Sequence, residues 1–450
     1  MKQPLGDWSG YANFEAIYES CAKIMNAVTQ DVPTELDVAA IRRDFPVLER
    51  QASSGAPLIY LDNAASTQRP TWVLEAMDDC YRQYYANVHR GIHTLSEQST
   101  RAFEAARLVV RDFLGAASPA EIIFTSGTTA GINLVARSWG DANIGADDCI
   151  LLTIAEHHAN IVPWQQLAQR TGCRIVYLPL GEDGQIDAAA VAESLEKYRP
   201  KLFAFTALSN VLGTEVPVAD WVRLARQCGA TVLVDAAQAV PHMPVDVQQW
   251  DADFVVFSGH KLCGPTGIGV LYGKEAILEA MPPFLGGGAM IHTVTVDGFE
   301  PGQLPQKFEA GTPPIVEAIG LAAAIGYIGK LGLQNIHQHE QRLARLAVDG
   351  MAEIPGLRMF GPPTAHRAGL VSFMIDGVHP HDISQWLDMR GIAVRAGHHC
   401  TMPLHQHLGV AATCRASFYL YNTPAEAEAL VAALAEVQQK FARRSRARSV

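Results

Sequence analysis

The sequence contains no long apolar run, no closely paired cysteines and no excess of basic residues. No apolar stretch reaches the roughly 20 residues that a membrane-spanning helix needs, and the first residues lack the apolar core of a secretory signal. We therefore expect a cytoplasmic protein that does not bind a membrane. The formal net charge of -11, from 35 Lys and Arg against 46 Asp and Glu, disfavours a nucleic acid bound through its phosphates.

The eight cysteines form no C-x-x-C pair and no spacing typical of a disulfide framework; they occupy positions 21, 80, 149, 173, 228, 263, 400 and 414. Reduced thiols fit this pattern and agree with a cytoplasmic location. The adjacent histidines at 157 and 158 belong to no H-x-x-x-H pattern, and no set of carboxylates flanks them. The sequence therefore predicts no metal centre.

Length and composition indicate a globular protein with more than one folded unit. The 450 residues are 48% hydrophobic and 18% charged, an ordinary balance for a soluble chain, and they exceed what one core usually accommodates. We predict an N-terminal appendage at 1–36, a segment of a smaller domain at 37–57, a large domain at 58–295 and a C-terminal smaller domain at 296–450. An apolar stripe predicts an amphipathic helix over 14–28.

Short apolar runs alternate with helical patterns between residues 58 and 272. The runs at 122–124, 150–153, 175–178, 202–205, 232–234 and 254–257 are continuous, which is typical of strands covered on both faces. The predicted fold is therefore α/β, with a mostly parallel sheet covered by helices. Helices at 315–328, 336–351 and 424–441 and strands at 371–374 and 392–395 predict a smaller α+β domain.

Polar residues follow several of these strands, at the sheet edge where ligands bind. A loop opens a helix at Thr128 and Thr129, whose hydroxyls and N–H groups suit a phosphate, although a plain helix cap shows the same pattern. Asp235 ends a buried strand and needs a cationic partner, such as a protonated ring nitrogen. Lys261 ends another strand, as either a surface residue or a Schiff-base lysine. His157 either stacks on a planar ligand or is structural.

A second polar cluster surrounds Cys400. The thiol is flanked by Arg395, His398 and His399, an electropositive setting that favours the thiolate. The guanidinium of Arg415 suits a carboxylate, or else forms a surface ion pair. Together, a phosphate site, an acid for a ring nitrogen, a Schiff-base lysine, a carboxylate-binding arginine and a thiolate indicate pyridoxal phosphate chemistry on an amino acid.

A more specific resemblance is carried by nine segments. They are YLDNAA at 60–65, NVHRGIH at 87–93, SGTT at 126–129, EHHAN at 156–160, SNVLGT at 209–214, DAAQ at 235–238, SGHK at 258–261, FEAGTP at 308–313 and RAGHHC at 395–400. In these segments the chain resembles the group II cysteine desulfurases, most closely the SufS type, within the class V aminotransferase-like enzymes. The resemblance implies a fold-type I pyridoxal 5'-phosphate enzyme and a homodimer whose active sites each borrow residues from the other subunit.

The resemblance also implies roles for individual residues. Lys261 would bind the cofactor covalently and move the substrate α-proton, while Cys400 would attack the substrate sulfur. His157 would stack on the cofactor ring. Asp235 would pair with the ring nitrogen, and Gln238 would contact the ring hydroxyl.

The remaining implied contacts concern the phosphate and the substrate. The phosphate would be bound by Thr128, Thr129, Ser258 and His260, joined by Thr312 of the second subunit. The substrate would be faced by Asn210, which also touches the cofactor, and by Arg395 and Arg415, the last at its carboxylate. L-cysteine would become L-alanine, and sulfur would pass from a Cys400 persulfide to a SufE- or SufU-like acceptor for iron-sulfur cluster assembly.

Alternatives stay open at this point. A selenocysteine lyase acting on L-selenocysteine, or a cysteine sulfinate desulfinase, would share most of these residues, and an inactive relative would retain the fold for binding. Cys263 stands where relatives often have a larger side chain, so its reactivity is an open question. The appendage at 1–36 has no counterpart in the resemblance.

Overall fold

The computed structural model describes residues 35–181 and 183–448, with side chains as far as residue 440. The helix predicted over 14–28, and nearly all of the appendage, lie outside the described residues. The α-helices are Val38–Arg43, Thr71–Asp79, Thr94–Leu114, Thr128–Val135, Asp141–Asn143, Val162–Thr171, Ala188–Tyr198, Val218–Gln227, Ala239–His242, Val247–Trp250, Glu275–Ala280, Ile315–Leu331, Leu333–Ala352, Pro380–Asp388, Met402–His407 and Pro424–Arg448.

The strands are β1 Ile59–Tyr60, β2 Ile122–Thr125, β3 Cys149–Thr153, β4 Arg174–Leu178, β5 Leu202–Thr206, β6 Thr231–Asp235, β7 Phe254–Ser258, β8 Gly269–Gly273, β9 Ile291–Val294, β10 Phe299–Pro301, β11 Leu357–Phe360, β12 Leu370–Ile375, β13 Ile392–Ala393, β14 Arg395–Gly397 and β15 Thr413–Ser417. Short 3-10 turns are Pro46–Glu49, Pro119–Glu121, His158–Asn160, Gly259–Lys261, Gln306–Phe308 and Thr364–His366, and π-helical turns are Cys80–Tyr84 and Ala136–Gly140.

A seven-stranded sheet forms the centre of the fold, in the order β2-β8-β7-β6-β5-β3-β4. The strand β8 is antiparallel to both of its neighbours, and the other pairs are parallel. This arrangement confirms the predicted α/β class with a mostly parallel sheet. Each predicted apolar run lies within one of these strands. The strands inside the sheet are buried on both faces, as continuous apolar runs predict.

The two faces of this sheet bury alternate residues of the same strands. On β6, Val232 and Val234 join one apolar cluster, while Leu233 joins the cluster on the opposite face. On β7, Val255 and Val256 divide in the same way. Each such side chain stabilises the fold by about 1.5–3 kcal/mol on burial, so the sheet is a rigid base for residues at its carboxyl edge.

Three smaller sheets complete the part of the fold that the structure describes. Four antiparallel strands form the order β11-β12-β15-β14, β9 pairs with β10 in a hairpin, and β1 pairs in parallel with β13. The single strand predicted over 392–395 is wrong: Ile392 and Ala393 pair with β1, whereas Arg395 begins the edge strand that pairs with β15. The chain changes partner at Val394, a break that the apolar pattern does not reveal.

The predicted helices of the C-terminal part are present and longer than expected. The patterns over 315–328, 336–351 and 424–441 correspond to helices Ile315–Leu331, Leu333–Ala352 and Pro424–Arg448. In the part of the chain that the structure covers, no single helix has the length and apolarity to cross a bilayer. The first two of these helices meet such criteria only as a pair, bent by 74°, and both contribute side chains to the core.

Candidate active site

A cavity of about 240 Å³ opens at the carboxyl edge of the central sheet. All of the predicted site residues except Thr312 line it: Thr128, Thr129, His157, Asn210, Asp235, Gln238, Ser258, His260, Lys261, Arg395, Cys400 and Arg415. These residues lie at the ends of β6 and β7, in the segments that follow β2, β3, β5, β6 and β7, and in the C-terminal part of the chain. The parallel strands bring their ends together, which is why residues far apart in sequence share one cavity.

One end of the cavity is formed by the start of the helix Thr128–Val135. The Thr128 N–H donates to Ser258 Oγ, and the two hydroxyls lie 2.8 Å apart. Gly127 has a φ of 145°, and a Cβ on Gly269 would lie 2.5 Å from the Gly127 Cα. The glycines therefore permit a close approach of two backbones beside this helix start. Its free N–H groups and hydroxyls suit an anion.

Asp235 is the last residue of β6, and Lys261 ends the short turn that follows β7. The Asp235 side chain is buried, and one of its oxygens accepts the Ala237 N–H at 2.9 Å. Burial raises the pKa of Asp235, while the Ala237 N–H and Lys261 oppose that rise. Burial lowers the pKa of Lys261 to about 8, against the opposing effect of the Asp235 charge. A lysine with this pKa supplies a neutral amine near physiological pH, as a nucleophile or proton carrier needs.

The turn that carries His157 is fixed by the buried carboxyl group of Glu156, which sequence reasoning missed. His157 Nδ1 accepts the Ala159 N–H at 3.0 Å, and burial, with the charge of Lys261, lowers the pKa of His157 to about 3. The ring is therefore neutral. The preceding Glu156 is fully buried and accepts from the Thr206 N–H at 3.0 Å and from Asn160 Nδ2 at 2.7 Å, which fixes the turn. Thr206 also lines the cavity and was not predicted. It is the last residue of β5, in the same way that Asp235 is the last residue of β6.

Gln238 lines the same cavity and has an open acceptor. Its Nε2 donates to the Ala64 carbonyl oxygen at 2.7 Å. Its Oε1 is buried and has no hydrogen-bond partner among the described residues. A buried acceptor without a partner costs free energy, so this atom is suited to a donor of a bound molecule.

Two arginines share a carboxylate that sequence reasoning did not single out. Asp62 accepts from Arg395 Nη2 at 2.9 Å and from Arg415 Nη2 at 3.4 Å. Arg415 also donates to the Asn210 carbonyl oxygen at 2.8 Å. Its buried Nε has no partner in the described part of the chain, and burial lowers its pKa to about 10. The guanidinium is still charged at neutral pH and retains an open donor for a small anion.

Cys400 is exposed and lines the cavity, in the loop between β14 and the helix Met402–His407. The preceding residue, His399, is fixed by Asn210, whose Nδ2 donates to its carbonyl oxygen at 2.9 Å. Cys263 differs from Cys400 in exposure and in position, because it is fully buried and does not line the cavity. Burial raises the pKa of the Cys263 thiol to about 12. Of the cysteines that the structure describes, Cys400 is the exposed one.

Thr312 is exposed and does not line this cavity. It follows Glu309, whose carboxylate is bonded by the Arg107 guanidinium at 2.7 and 2.9 Å. This buried pair anchors the loop that leads to Thr312. The predicted contribution of Thr312 to a second subunit stays a prediction.

Comparison with known proteins identifies the family. The sequence model of class-V aminotransferases matches residues 59–430. The chain belongs to the class-V aminotransferase family. The chain is 50% identical over 400 residues to a cysteine desulfurase of Cronobacter sakazakii. The aligned region covers 89% of this chain and 98% of the relative.

Solved structures of two cysteine desulfurases share the fold of this class-V aminotransferase family member. The S-sulfonic acid form of CsdA from Escherichia coli has a TM-score of 0.82 and 40% identity, over 90% of this chain and 99% of that chain. The apo enzyme of Thermococcus onnurineus NA1 has a TM-score of 0.83 and 40% identity, over 88% of this chain and 98% of that chain.

The class-V aminotransferase family uses pyridoxal phosphate, and the cavity fits this group. A helix start with hydroxyls suits the phosphate, and the buried Asp235 suits a protonated ring nitrogen. The unpartnered Oε1 of Gln238 suits the ring hydroxyl, and the Lys261 amine lies at the same cavity. Among the described residues, no group of three or more His, Cys, Asp or Glu is arranged to hold a metal ion.

Proposed function

We propose that this chain is a cysteine desulfurase, which converts L-cysteine to L-alanine and retains the sulfur as a persulfide on Cys400. One observation carries the proposal: an exposed cysteine lines the same cavity as a lysine of lowered pKa and a buried aspartate. The first is a sulfur acceptor, and the other two suit covalent binding and activation of pyridoxal 5'-phosphate. The identity to the relative named above supports the same function.

The cavity residues divide between the parts of the cofactor. Thr128, Thr129, Ser258 and His260 would hold the phosphate. Asp235 would keep the ring nitrogen protonated, Gln238 would accept from the ring hydroxyl, and the neutral His157 ring would stack on the cofactor face. When bound, the cofactor supplies an electron sink that lets bonds at the substrate Cα and Cβ break. Asn210 would touch both cofactor and substrate.

The remaining residues act on the substrate. Arg415 would bind its carboxylate through the open Nε, with Arg395 at the cavity entrance, and Lys261 would take the α-proton. The Cys400 thiolate would then attack the substrate sulfur. A sulfur–sulfur bond forms as the carbon–sulfur bond breaks, and the electron pair of that bond, with added protons, yields alanine.

We assign the chain to the SufS type of group II on the segments around Lys261 and Cys400, and we place it in the cytoplasm. A homodimer is proposed because Thr312 is exposed and does not line the cavity of the same chain. A residue that contributes to the cavity of a second subunit would be placed in this way. A SufE- or SufU-like protein would take the sulfur from the exposed Cys400. We also propose that the domain boundaries follow residues 36, 57 and 295.

The test is a product assay with cofactor-loaded protein, cysteine and a reductant. Wild type should release alanine and sulfide in equal amounts, and Cys400→Ala should bind the cofactor yet make no alanine from cysteine. Cys263→Ala is the matched control and should remain active, because its thiol is buried away from the cavity. Activity in Cys400→Ala would contradict the proposal.

The same assay separates the alternatives. Selenocysteine or cysteine sulfinate turned over with a much higher kcat/KM than cysteine would assign the chain as a selenocysteine lyase or a desulfinase instead. A wild-type protein that binds the cofactor but releases no alanine from any of the three substrates would indicate an inactive binding partner. Sedimentation of the wild type at two masses of one chain would support the homodimer.

A further inference from the structure

The adjacent histidines 157 and 158 direct their side chains to different parts of the site. His157 lines the cavity, whereas His158 contacts the loop that carries Cys400. The main-chain N–H of His158 donates to the Cys400 carbonyl oxygen at 2.7 Å. The ring Nε2 of His158 accepts the main-chain N–H of Met402 at 3.0 Å. One residue therefore binds the loop at the cysteine and again two residues beyond it.

The loop needs such contacts because its backbone is strained. His399 has a φ of 50° and Cys400 a φ of 58°, and two consecutive residues with a Cβ in the left-handed region are uncommon. This conformation persists only where the surroundings hold it. Asn210 binds the His399 carbonyl oxygen and Thr413 binds the His399 ring, which holds the residue before the cysteine. The contacts of His158 hold the cysteine itself and Met402, two residues beyond it.

The protonation of His158 is defined by its partner. A main-chain N–H can only donate, so Nε2 must carry a lone pair and the ring must be neutral with its proton on Nδ1. Burial and the nearby His398 lower the pKa of His158, which agrees with a neutral ring. The acceptor at the Nε2 position is thus the feature of this side chain that the loop uses.

We propose that His158 is a positioning residue, which holds the Cys400 loop in the conformation that presents the thiol to the cavity. This inference rests on the proposed desulfurase function. Because His157 and His158 are consecutive, the group that would face the cofactor ring and the group that orients the nucleophile share one turn. The position of the Cys400 thiol relative to the His157 ring is then set by a short, hydrogen-bonded path.

The test compares two amide variants that differ in reach. In His158→Gln the side-chain oxygen lies near the position of Nε2, whereas in His158→Asn it lies near that of Nδ1 and does not reach Met402. His407→Asn is the matched control, since His407 is exposed at the end of the helix that follows the loop. For each cofactor-loaded protein, kcat and KM for alanine formation from cysteine and the absorbance of the bound cofactor are measured.

We expect His158→Asn to lower kcat at least about tenfold with KM within about twofold, because a misplaced nucleophile slows the chemical step more than substrate binding. His158→Gln should stay within about threefold of wild type, as should the control, and all proteins should keep the cofactor absorbance. Equal kcat values in the two amide variants, a change in KM alone, or loss of cofactor from His158→Asn would overturn the inference. A wild type without activity would instead refute the proposed function.

Discussion

The buried Arg107 is the residue whose replacement should destabilise this protein most clearly. It lies on the helix Thr94–Leu114 and is 1% exposed. Its guanidinium donates to both oxygens of Glu309 at 2.7 and 2.9 Å, to Glu104 at 3.0 Å and to the Ile122 carbonyl oxygen at 2.9 Å. Glu309 also accepts the main-chain N–H of Phe124 at 2.7 Å. The pair therefore attaches the loop before Thr312 to the edge of the central sheet.

The variant Arg107→Met retains much of the side-chain volume and removes the charge. It leaves the Glu309 carboxylate, whose side chain is 6% exposed, without its cation. Removal of one partner from a buried ion pair costs about 3–5 kcal/mol. At about 2 °C for each kcal/mol in a large domain, the thermal midpoint should fall by about 6–10 °C. The assay is thermal unfolding followed by circular dichroism at saturating cofactor, at one fixed heating rate.

A matched control lies one turn along the same helix. Arg111 pairs with Asp112, and its side chain is 24% exposed, so the pair contributes about 0–1 kcal/mol. Arg111→Met should shift the midpoint by less than about 2 °C. Adding Glu309→Gln to Arg107→Met should recover part of the lost stability, because the unpaired buried charge is then gone. Equal shifts in the two methionine variants would refute this reasoning.

Further predictions concern the titrating groups of the site. Cofactor capture by the apoprotein should speed up between pH 7 and 9, because a Lys261 pKa of about 8 takes the neutral amine from about a tenth to about nine tenths of the protein. Asp235→Asn should move the pH midpoint of cofactor capture to lower pH and reduce kcat at least about a hundredfold, because Lys261 and the cofactor lose a buried charge partner. Stopped-flow absorbance measures the midpoint, and the alanine assay measures kcat. An unmoved midpoint would contradict the role of Asp235 in raising the Lys261 pKa. Burial raises the pKa of Glu156 to about 8, so the stability linked to its protonated form is complete below the unfolded pKa and is lost as pH rises through 8. Glu156→Gln should therefore show a flatter urea midpoint than wild type between about pH 4.5 and 8, the window between the unfolded and the folded pKa, and parallel profiles would contradict this.

Much of the central sheet and its ligand edge is predictable from the sequence. The predicted runs that lie in β5, β6 and β7 are apolar at every position, and this pattern has few structural solutions besides a strand covered on both faces. Asp235 and Lys261 could be singled out because a charged residue directly after such a strand is costly unless it has a partner. Parallel strands then place these residues at one edge without any knowledge of the contacts.

The parts that escaped prediction depend on partners far away in the chain. Asp62 binds Arg395 across 333 positions, and no local pattern indicates that pairing. Glu156 reads locally as an ordinary polar residue beside a histidine pair, and its burial against Thr206 appears only when β3 and β5 lie side by side. The break at Val394 likewise follows from two different strand partners. Each is set by tertiary contacts and not by local propensity.

The most direct measurement of the central claim is the fate of sulfur in a single turnover. Cofactor-loaded protein is mixed with one equivalent of cysteine without reductant or acceptor, and the alkylated peptides are analysed by mass spectrometry while alanine is counted. One added sulfur atom on the peptide that contains Cys400, in equal amount to the alanine formed, is the predicted result. Alanine formed with the added sulfur on the Cys263 peptide, or on no cysteine at all, would contradict the assignment of Cys400 as the sulfur acceptor.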